Sequence, residues 1–309
     1  MLSDDFRDDR FAVVFNAAAG SGRARLLLPK LKLAIGSFVR TAQWIEASEC
    51  ESAVRELKSA FARGARNFVV VGGDGTIHTV INTLPLGEYR IGIVPVGGGN
   101  DFAAALQIPT NPIAAARSIH TSRLRRVDLV QVCAAGGITR VYAGGGGVGL
   151  DVEAARLARE RYSQWPGRLR YLAAALHGAV QSAGVKIGLE FPGTAIPTTS
   201  ATALTVAVMN TPSFGSGLRL APKAKVDDGL LDVAVVAYRS IGKLLPLVPR
   251  MAISGTLPER MIERQRVACV RICAVTPRMF QGDGEEIGQT PLELRALPDA
   301  LCVLAGDGN

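Results

Sequence analysis

Long apolar runs are missing from this 309-residue chain: none reaches the roughly 18 uninterrupted apolar residues of a membrane-spanning helix. Aromatic residues are scarce, at 6%, and no helix-turn-helix, RNP or zinc-finger signature is present. A nucleic-acid ligand is therefore not expected, although the formal charge is +8 and the pI about 9.5. The basic excess, carried mainly by arginine, suits an acidic partner such as a nucleotide or an anionic membrane surface. Five cysteines, Cys50, Cys133, Cys269, Cys273 and Cys302, form no CxxC pair. Their odd number points to reduced thiols and a cytoplasmic protein. The opening MLSDDFRDDR is acidic and polar, which suits neither a signal peptide nor an anchor.

The richest stretch is Asn67 to Leu84, NFVVVGGDGTIHTVINTL. Phe68, Val69, Val70 and Val71 show no alternation, as in a strand buried on both faces of a parallel sheet. Ile77, Val80, Ile81 and Leu84 follow at helical spacing. Between them Gly72, Gly73 and Gly75 leave room for a ligand on the backbone, and Thr76 is placed to cap the helix, whose amino end favours an anion. Asp74 would repel phosphate unless a cation such as Mg²⁺ lay between them. The pattern points to a nucleotide with a metal; a tight turn that binds nothing is the bland alternative. A second copy of the pattern follows, with an apolar run Ile91 to Val96, glycines 97 to 99, then Asn100 and Asp101 before a short helix over Phe102 to Leu106. Two glycine turns carrying acids after successive strands fit ligand binding at the carboxyl edge of an α/β sheet.

Phe11 to Phe15 reads as the first strand and runs into the small-residue turn NAAAG, Asn16 to Gly20. Ser48 and Glu51 form a capping-box pair before a helix with Ala53, Val54, Leu57, Ala60 and Phe61 on one face. Strands and helices thus alternate up to Val96, giving parallel strands with right-handed crossovers. From Val127 the texture changes to short β-rich runs, among them Val267 to Val275, which indicate a second, mainly antiparallel β domain beginning near residue 126. One helical stretch, Val152 to Gln181, interrupts it, with Arg156, Arg159, Arg161, Arg168 and Arg170 beside Tyr162, Trp165 and Tyr171. It reads as a solvated helix or as a basic, aromatic-edged surface for anionic headgroups, and Ile241 to Ile253 is a second candidate.

GGDGT followed by PVGGGND resembles the diacylglycerol kinase catalytic domain family, lipid kinases that include relatives acting on sphingoid bases and ceramide. NAD kinases and 6-phosphofructokinases share the first turn. The later segments PKAKVDDGLL (Pro222 to Leu231) and GDGE (Gly282 to Glu285) are similar to the lipid kinases and not to the other two. The resemblance implies an N-terminal three-layer α/β nucleotide-binding domain with a parallel, NAD kinase-like sheet over residues 1–125, with about 296–309 returning to it. It also implies a C-terminal, mainly antiparallel β-sandwich domain over 126–295 for the lipid substrate.

The resemblance further implies an ATP-dependent lipid kinase using Mg²⁺ and transferring the γ-phosphate to a diacylglycerol-, ceramide- or sphingoid-type hydroxyl in an interdomain cleft. Nucleotide contacts carry over to Asn16, Ala17, Ala18, Ala19, Gly20, Ser48, Gly72, Gly73, Asp74, Gly75, Thr76, Ile77, His78, Thr79, Gly98, Asn100 and Asp101. Glu285 would accept the lipid hydroxyl proton with support from Asp283, and Asp74 belongs to the same catalytic set. A structural Mg²⁺ would take Asp228 and the carbonyls of Lys225 and Leu230, while Asp74, Asp101 and Asp128 would join a catalytic Mg²⁺ network. Ala17, Ala19, Gly98 and His78 depart from the family pattern, so a nucleotide- or lipid-binding protein without catalysis stays open beside an NAD kinase-like enzyme. Without a spanning helix, an enzyme for lipids would work peripherally at the inner membrane face. Exposed edge strands of the β domain could also pair two copies into a homodimer.

Overall fold

The computed structural model describes residues 10–39, 41–47, 50–165, 167–215 and 217–305. The chain divides into two compact units, one formed by Met1–Val127 with Asp299–Asn309 and the other by Asp128–Pro298.

In the first unit the chain runs β1 (Phe11–Phe15), α1 (Arg23–Gly36), β2 (Ala42–Glu46), α2 (Cys50–Ala62), β3 (Asn67–Gly72), α3 (Asp74–Ile81), β4 (Arg90–Pro95), α4 (Asp101–Ala105) and α5 (Pro112–Ser118). The four strands are parallel in the order β4-β3-β1-β2. Every residue of β1 and β3 is buried, as their unalternating apolar runs require. Leu31, Ala34 and Ile35 of α1 and Ala116 of α5 pack on one face with Val13 and Val69. Ala53, Leu57 and Ala60 of α2 and Ile77, Val80 and Ile81 of α3 are buried as well. Asn111 caps α5, its side chain accepting from the amides of Ile113 and Ala114, with Pro112 at the first helical position.

The second unit begins within β5 (Arg123–Ala134) and continues through β6 (Thr139–Tyr142), β7 (Gly145–Gly149), α6 (Leu150–Glu160), α7 (Gly167–Gln181), β8 (Val185–Glu190), β9 (Thr199–Met209), β10 (Leu231–Ala237), α8 (Ile241–Leu244), α9 (Val248–Ser254), β11 (Ile262–Val267), β12 (Cys269–Ala274), β13 (Met279–Gly282), β14 (Glu285–Gln289) and β15 (Leu292–Ala305). β9 organises it. Thr199–Ala203 pairs with β8, Thr205–Met209 pairs with β7, and the other edge pairs with β10, all antiparallel. Val206, Val208, Val270, Ile272, Phe280 and Leu294 meet in the core of this β-sandwich. β15 serves both units: Leu292–Arg295 pairs antiparallel with β12, and Cys302–Leu304 pairs parallel with β4.

Three local expectations are corrected. Thr76 is not a cap: α3 starts at Asp74, its N-cap is Gly73 without a side-chain bond, and Thr76 lies buried in the first turn. The stretch from Val152 to Gln181 is two helices, because the chain turns at Arg161 to Trp165, where Trp165 N–H donates to the Tyr162 carbonyl at 2.9 Å. Tyr162 then packs edge-to-face on Trp165 and shares a 3.1 Å hydrogen bond with His177 of α7. The run read as Val267 to Val275 is divided at Ala268 between β11 and β12, and the Ala268 carbonyl accepts from Ala296 instead. Ser48, with its pairing to Glu51, lies outside the described residues.

Candidate active site

Because β1, β3 and β4 are parallel, their carboxyl ends bring three turns to one edge of the first unit's sheet. The turn after β1 is built by Asn16, whose amide donates to the Val71 carbonyl (3.0 Å) and whose Oδ1 accepts from Ala18 N–H (3.0 Å). Asn16 Nδ2 reaches Thr76 Oγ1 at 3.4 Å, so Thr76 links this turn to α3. At Gly20 the backbone is left-handed (φ +62°), and a Cβ would lie 2.3 Å from the Val96 carbonyl oxygen. Only glycine fits this conformation and approach without strain.

The turns after β3 and β4 touch through their backbones. A Cβ on Gly97 would stand 2.6 Å from Gly73 Cα, and Val96 N–H donates to the Gly72 carbonyl at 2.9 Å. The Asp74 carboxylate spans them: Oδ2 accepts from Asp101 N–H at 3.2 Å and Oδ1 from Phe102 N–H at 3.3 Å. Asn100 adopts a left-handed conformation before α4 and donates from Nδ2 to the Gly97 carbonyl at 2.8 Å. Asp101 is buried, while Asp74, Gly75, His78 and Thr79 are partly accessible and Gly98 is exposed. Ile77 points into the core at 2% exposure, so its contribution to any ligand comes from its backbone. The Thr79 hydroxyl turns back to the Gly75 carbonyl at 3.1 Å. The structure thus gathers Asn16 to Gly20, Gly72 to Thr79, Gly98, Asn100 and Asp101 at one edge.

In the second unit, β13 and β14 form a hairpin with Asp283 and Gly284 at its tip, both left-handed (φ 53° and 86°). The sequence suited either an Asp-Gly hairpin or a catalytic segment, and the hairpin geometry is there. The Asp283 carboxylate accepts from Ala143 N–H and Gly144 N–H, each at 2.8 Å, and its own amide donates to the Gly145 carbonyl at 2.9 Å. Glu285, first residue of β14, is exposed. Arg159 of α6 donates to the Gly284 carbonyl at 2.5 Å.

Asp151 lies behind this hairpin and was not singled out by any motif. It accepts from Thr205 Oγ1 (2.5 Å) and Gln281 Nε2 (3.4 Å), and burial raises its pKa from 3.8 to about 6. A Cβ on Gly147 would come within 2.6 Å of its Oδ2. Tyr142, fully buried and donating to the Val208 carbonyl at 2.9 Å, is pushed well above the ordinary tyrosine range by burial, with Asp283 and Asp151 adding to the effect.

The residues expected to hold metal are arranged differently. Asp128, 2% exposed, belongs with the second unit's Val226–Gly229 loop: its amide donates to the Val226 carbonyl and its Oδ2 accepts from Gly229 N–H, both at 2.7 Å. Asp228 accepts from Leu230 N–H at 3.1 Å and is ion-paired with Arg266 of β11, which also reaches Asp232 at 3.5 Å. Lys225, Asp228 and Leu230, the set expected to hold a structural Mg²⁺, lie in the one loop before β10, where the Asp228 carboxylate faces Arg266. Among the described residues no three His, Cys, Asp or Glu side chains form a metal cluster. Asp74 and Asp101 adjoin through the Asp101 backbone N–H, which donates to Asp74 Oδ2.

Residues 10–132 match the diacylglycerol kinase catalytic domain, and residues 144–305 match the YegS C-terminal NAD kinase beta sandwich-like domain. The chain is 30% identical over 265 residues to the diacylglycerol kinase of Mycobacterium tuberculosis (strain CDC 1551 / Oshkosh), covering 84% of this chain and 83% of that protein. It belongs to the diacylglycerol kinase family. A second family member, "Probable lipid kinase YegS-like" of Xanthomonas oryzae pv. oryzae (strain MAFF 311018), is 29% identical over 81% of this chain and 82% of its own length. A solved diacylglycerol kinase structure from Bacillus anthracis str. Sterne superposes with a TM-score of 0.73 at 20% identity, covering 97% of each chain, which shows the shared fold. As a diacylglycerol kinase-like protein the chain is of the lipid-kinase class of phosphotransferases.

Proposed function

We propose that the protein transfers the γ-phosphate of ATP to the hydroxyl of a lipid alcohol of the diacylglycerol, ceramide or sphingoid type. The observation that carries this reading is the pair of glycine turns locked together by Asp74. Bare glycine backbone at the amino end of α3 suits the phosphates of a nucleotide, and a carboxylate stands beside it where a phosphate alone would not tolerate it.

In this proposal ATP lies along Asn16 to Gly20, Gly73 to Thr79 and Gly98 to Asp101. Mg²⁺ arriving with ATP would be held by Asp74 and Asp101 and would supply neutralisation of the phosphate charge. Glu285, exposed on β14, takes the proton of the lipid hydroxyl as the phosphoryl group is transferred, and Asp283 fixes the hairpin that presents it. The missing hydroxyls at Ala17 and Ala19 leave the first turn to bind through its backbone, which Asn16 Oδ1 fixes by accepting from Ala18 N–H.

No helix among the described residues is long and apolar enough to cross a membrane, so the acceptor is taken from the side. We place the docking surface on α7 and the neighbouring α8 and α9. Trp165 just before α7 (50% exposed), Leu169 of α7 (49%) and Ile253 of α9 (82%) share these elements with Arg170, Lys243 and Arg250, a mixture of apolar and basic side chains that suits anionic headgroups. The test is transfer from γ-labelled ATP, with Mg²⁺, to diacylglycerol, ceramide, sphingosine and NAD in mixed micelles, alongside Glu285→Gln. A labelled lipid absent from the variant supports the proposal; transfer to NAD alone, or equal labelling by the variant, overturns it.

A further inference from the structure

At the opposite, amino edge of the first unit's sheet lies a cavity of about 610 Å³ that the kinase reading does not use. It sits where β1 and β2 begin, between the last turns of α1 and α2, about 16 Å from the glycine turns by the length of a five-residue strand. Its volume falls within the ordinary range for organic ligands, roughly 300–1,000 Å³.

The lining has a consistent chemistry. Phe11, Ile35 and Val39, all buried, belong to an apolar floor. Three cations, Arg10, Lys32 and Arg63, stand exposed around it, and among the described residues the lining contains no carboxylate. Among the described residues no ion pair neutralises any of the three. They are nevertheless ordered: Arg63 donates from Nη2 to Gln43 Oε1 at 2.6 Å and from Nη1 to Ser59, and Arg10 donates to the Arg63 carbonyl. Lys32 Nζ stands 5.4 Å from the centroid of the Trp44 ring, which forms one wall. Like charges gathered over an apolar floor repel one another until an anion joins them, and guanidinium forks match phosphate oxygens.

The geometry points to a second ligand site here, one that takes an organic phosphate: a phosphomonoester head held by Arg10, Lys32 and Arg63, with an apolar or aromatic body against Trp44 and the floor. A phosphorylated lipid and a soluble aromatic phosphate share that chemistry. The site lies on the edge of the sheet away from Asp74, so its occupancy is independent of the nucleotide turns.

Trp44 and Trp165 are the only tryptophans of the chain, so Trp165→Phe leaves Trp44 as the single fluorescent reporter. In that background the protein is titrated with dihexanoyl phosphatidate below its critical micelle concentration, AMP, inorganic phosphate and dihexanoylglycerol. A saturable change in Trp44 emission with phosphatidate or AMP, at least ten-fold weaker in both Arg63→Ala and Lys32→Glu and retained in Asp74→Asn, supports the site. The tighter of the two ligands tells whether its source is lipid or soluble. Lys32 is exposed on a helix, so its variant reads binding even where Arg63→Ala disturbs the turn. No saturable change with either organic phosphate, equal binding by the neutral diacylglycerol, or unaltered affinity in Lys32→Glu overturns the inference.

Discussion

The two units use the same device for opposite ends. In each, an aspartate from a glycine turn accepts two consecutive backbone N–H groups: Asp74 those of Asp101 and Phe102, Asp283 those of Ala143 and Gly144. The bonds differ. Asp74 stands at 3.2 and 3.3 Å with its side chain partly accessible. Asp283 stands at 2.8 Å to both partners on a backbone held left-handed at φ 53°. Charge-assisted bonds at the shorter distance are the stronger kind, and a non-glycine residue held at positive φ is itself a cost that its surroundings must offset. Asp283 is therefore held the more tightly by its two amides, and Asp74 the more loosely.

The sharpest way to break that comparison is to neutralise each acid without changing its shape. Asp74→Asn should lower phosphoryl transfer by about 10³-fold with a melting temperature near the wild-type value, and Glu285→Gln by roughly 10²–10⁴-fold, the range for losing a positioned base. Steady-state rates and a thermal melt on the same samples check both. Asp283→Ala should instead show itself in stability, with a loss of about 3 kcal/mol in urea unfolding, because two amide donors are left without their acceptor. If Asp74→Asn proved the more destabilising of the two, the contrast between a tightly and a loosely held carboxylate would be wrong.

A finer contrast concerns protons. Asp151 is buried with a pKa raised from 3.8 to about 6, so the folded state holds its proton more tightly than the unfolded one. Its contribution to stability is complete below about pH 4 and is lost as pH rises through 6, a change of about 3 kcal/mol by linkage. Asp151→Asn should remove this slope, and the difference in unfolding free energy between variant and wild type should move in the variant's favour between pH 4 and pH 7.5.

The smallest effect belongs to Arg266, which is partly exposed. Arg266→Met should cost about 1–2 kcal/mol by leaving the buried Asp232 and its neighbour Asp228 without a counter-ion. A melt with and without EDTA tells which partner Asp228 uses: a fall in melting temperature with the chelator shows a metal in the loop, and an unchanged one leaves Arg266 as its counter-ion.

Much of the first unit was legible in the sequence, because buried parallel strands write themselves as unbroken runs such as FAVVF and NFVVVG, and its glycines sit where ligand-binding turns need them. The second unit was harder to read for a physical reason. β7 is GGGVG, a strand with almost no β-forming residues. Its glycines are there because neighbours crowd them: a Cβ at Gly145 would meet Met209, at Gly146 the Gln281 carbonyl and Phe280, and at Gly147 Asp151. Crowding by residues distant in sequence leaves no local signal. Thr76 looked like a cap because it follows GGDG, yet the helix already begins at Asp74. Asp128 and Asp228 looked alike as ligands, but only the three-dimensional pairing shows that one holds Gly229 and the other Arg266. Asp151 was hidden in the first turn of a helix, where an acid is unremarkable.

β15 gives residues 302–304 to the far edge of β4, and those residues are translated only after the whole of the second unit. During synthesis the first unit therefore leaves the ribosome with one flank of its sheet open, a template for mispairing with another nascent chain. The strand that closes this flank comes only after residues 128–298, so β4 stays unpaired on that side until the second unit has been made.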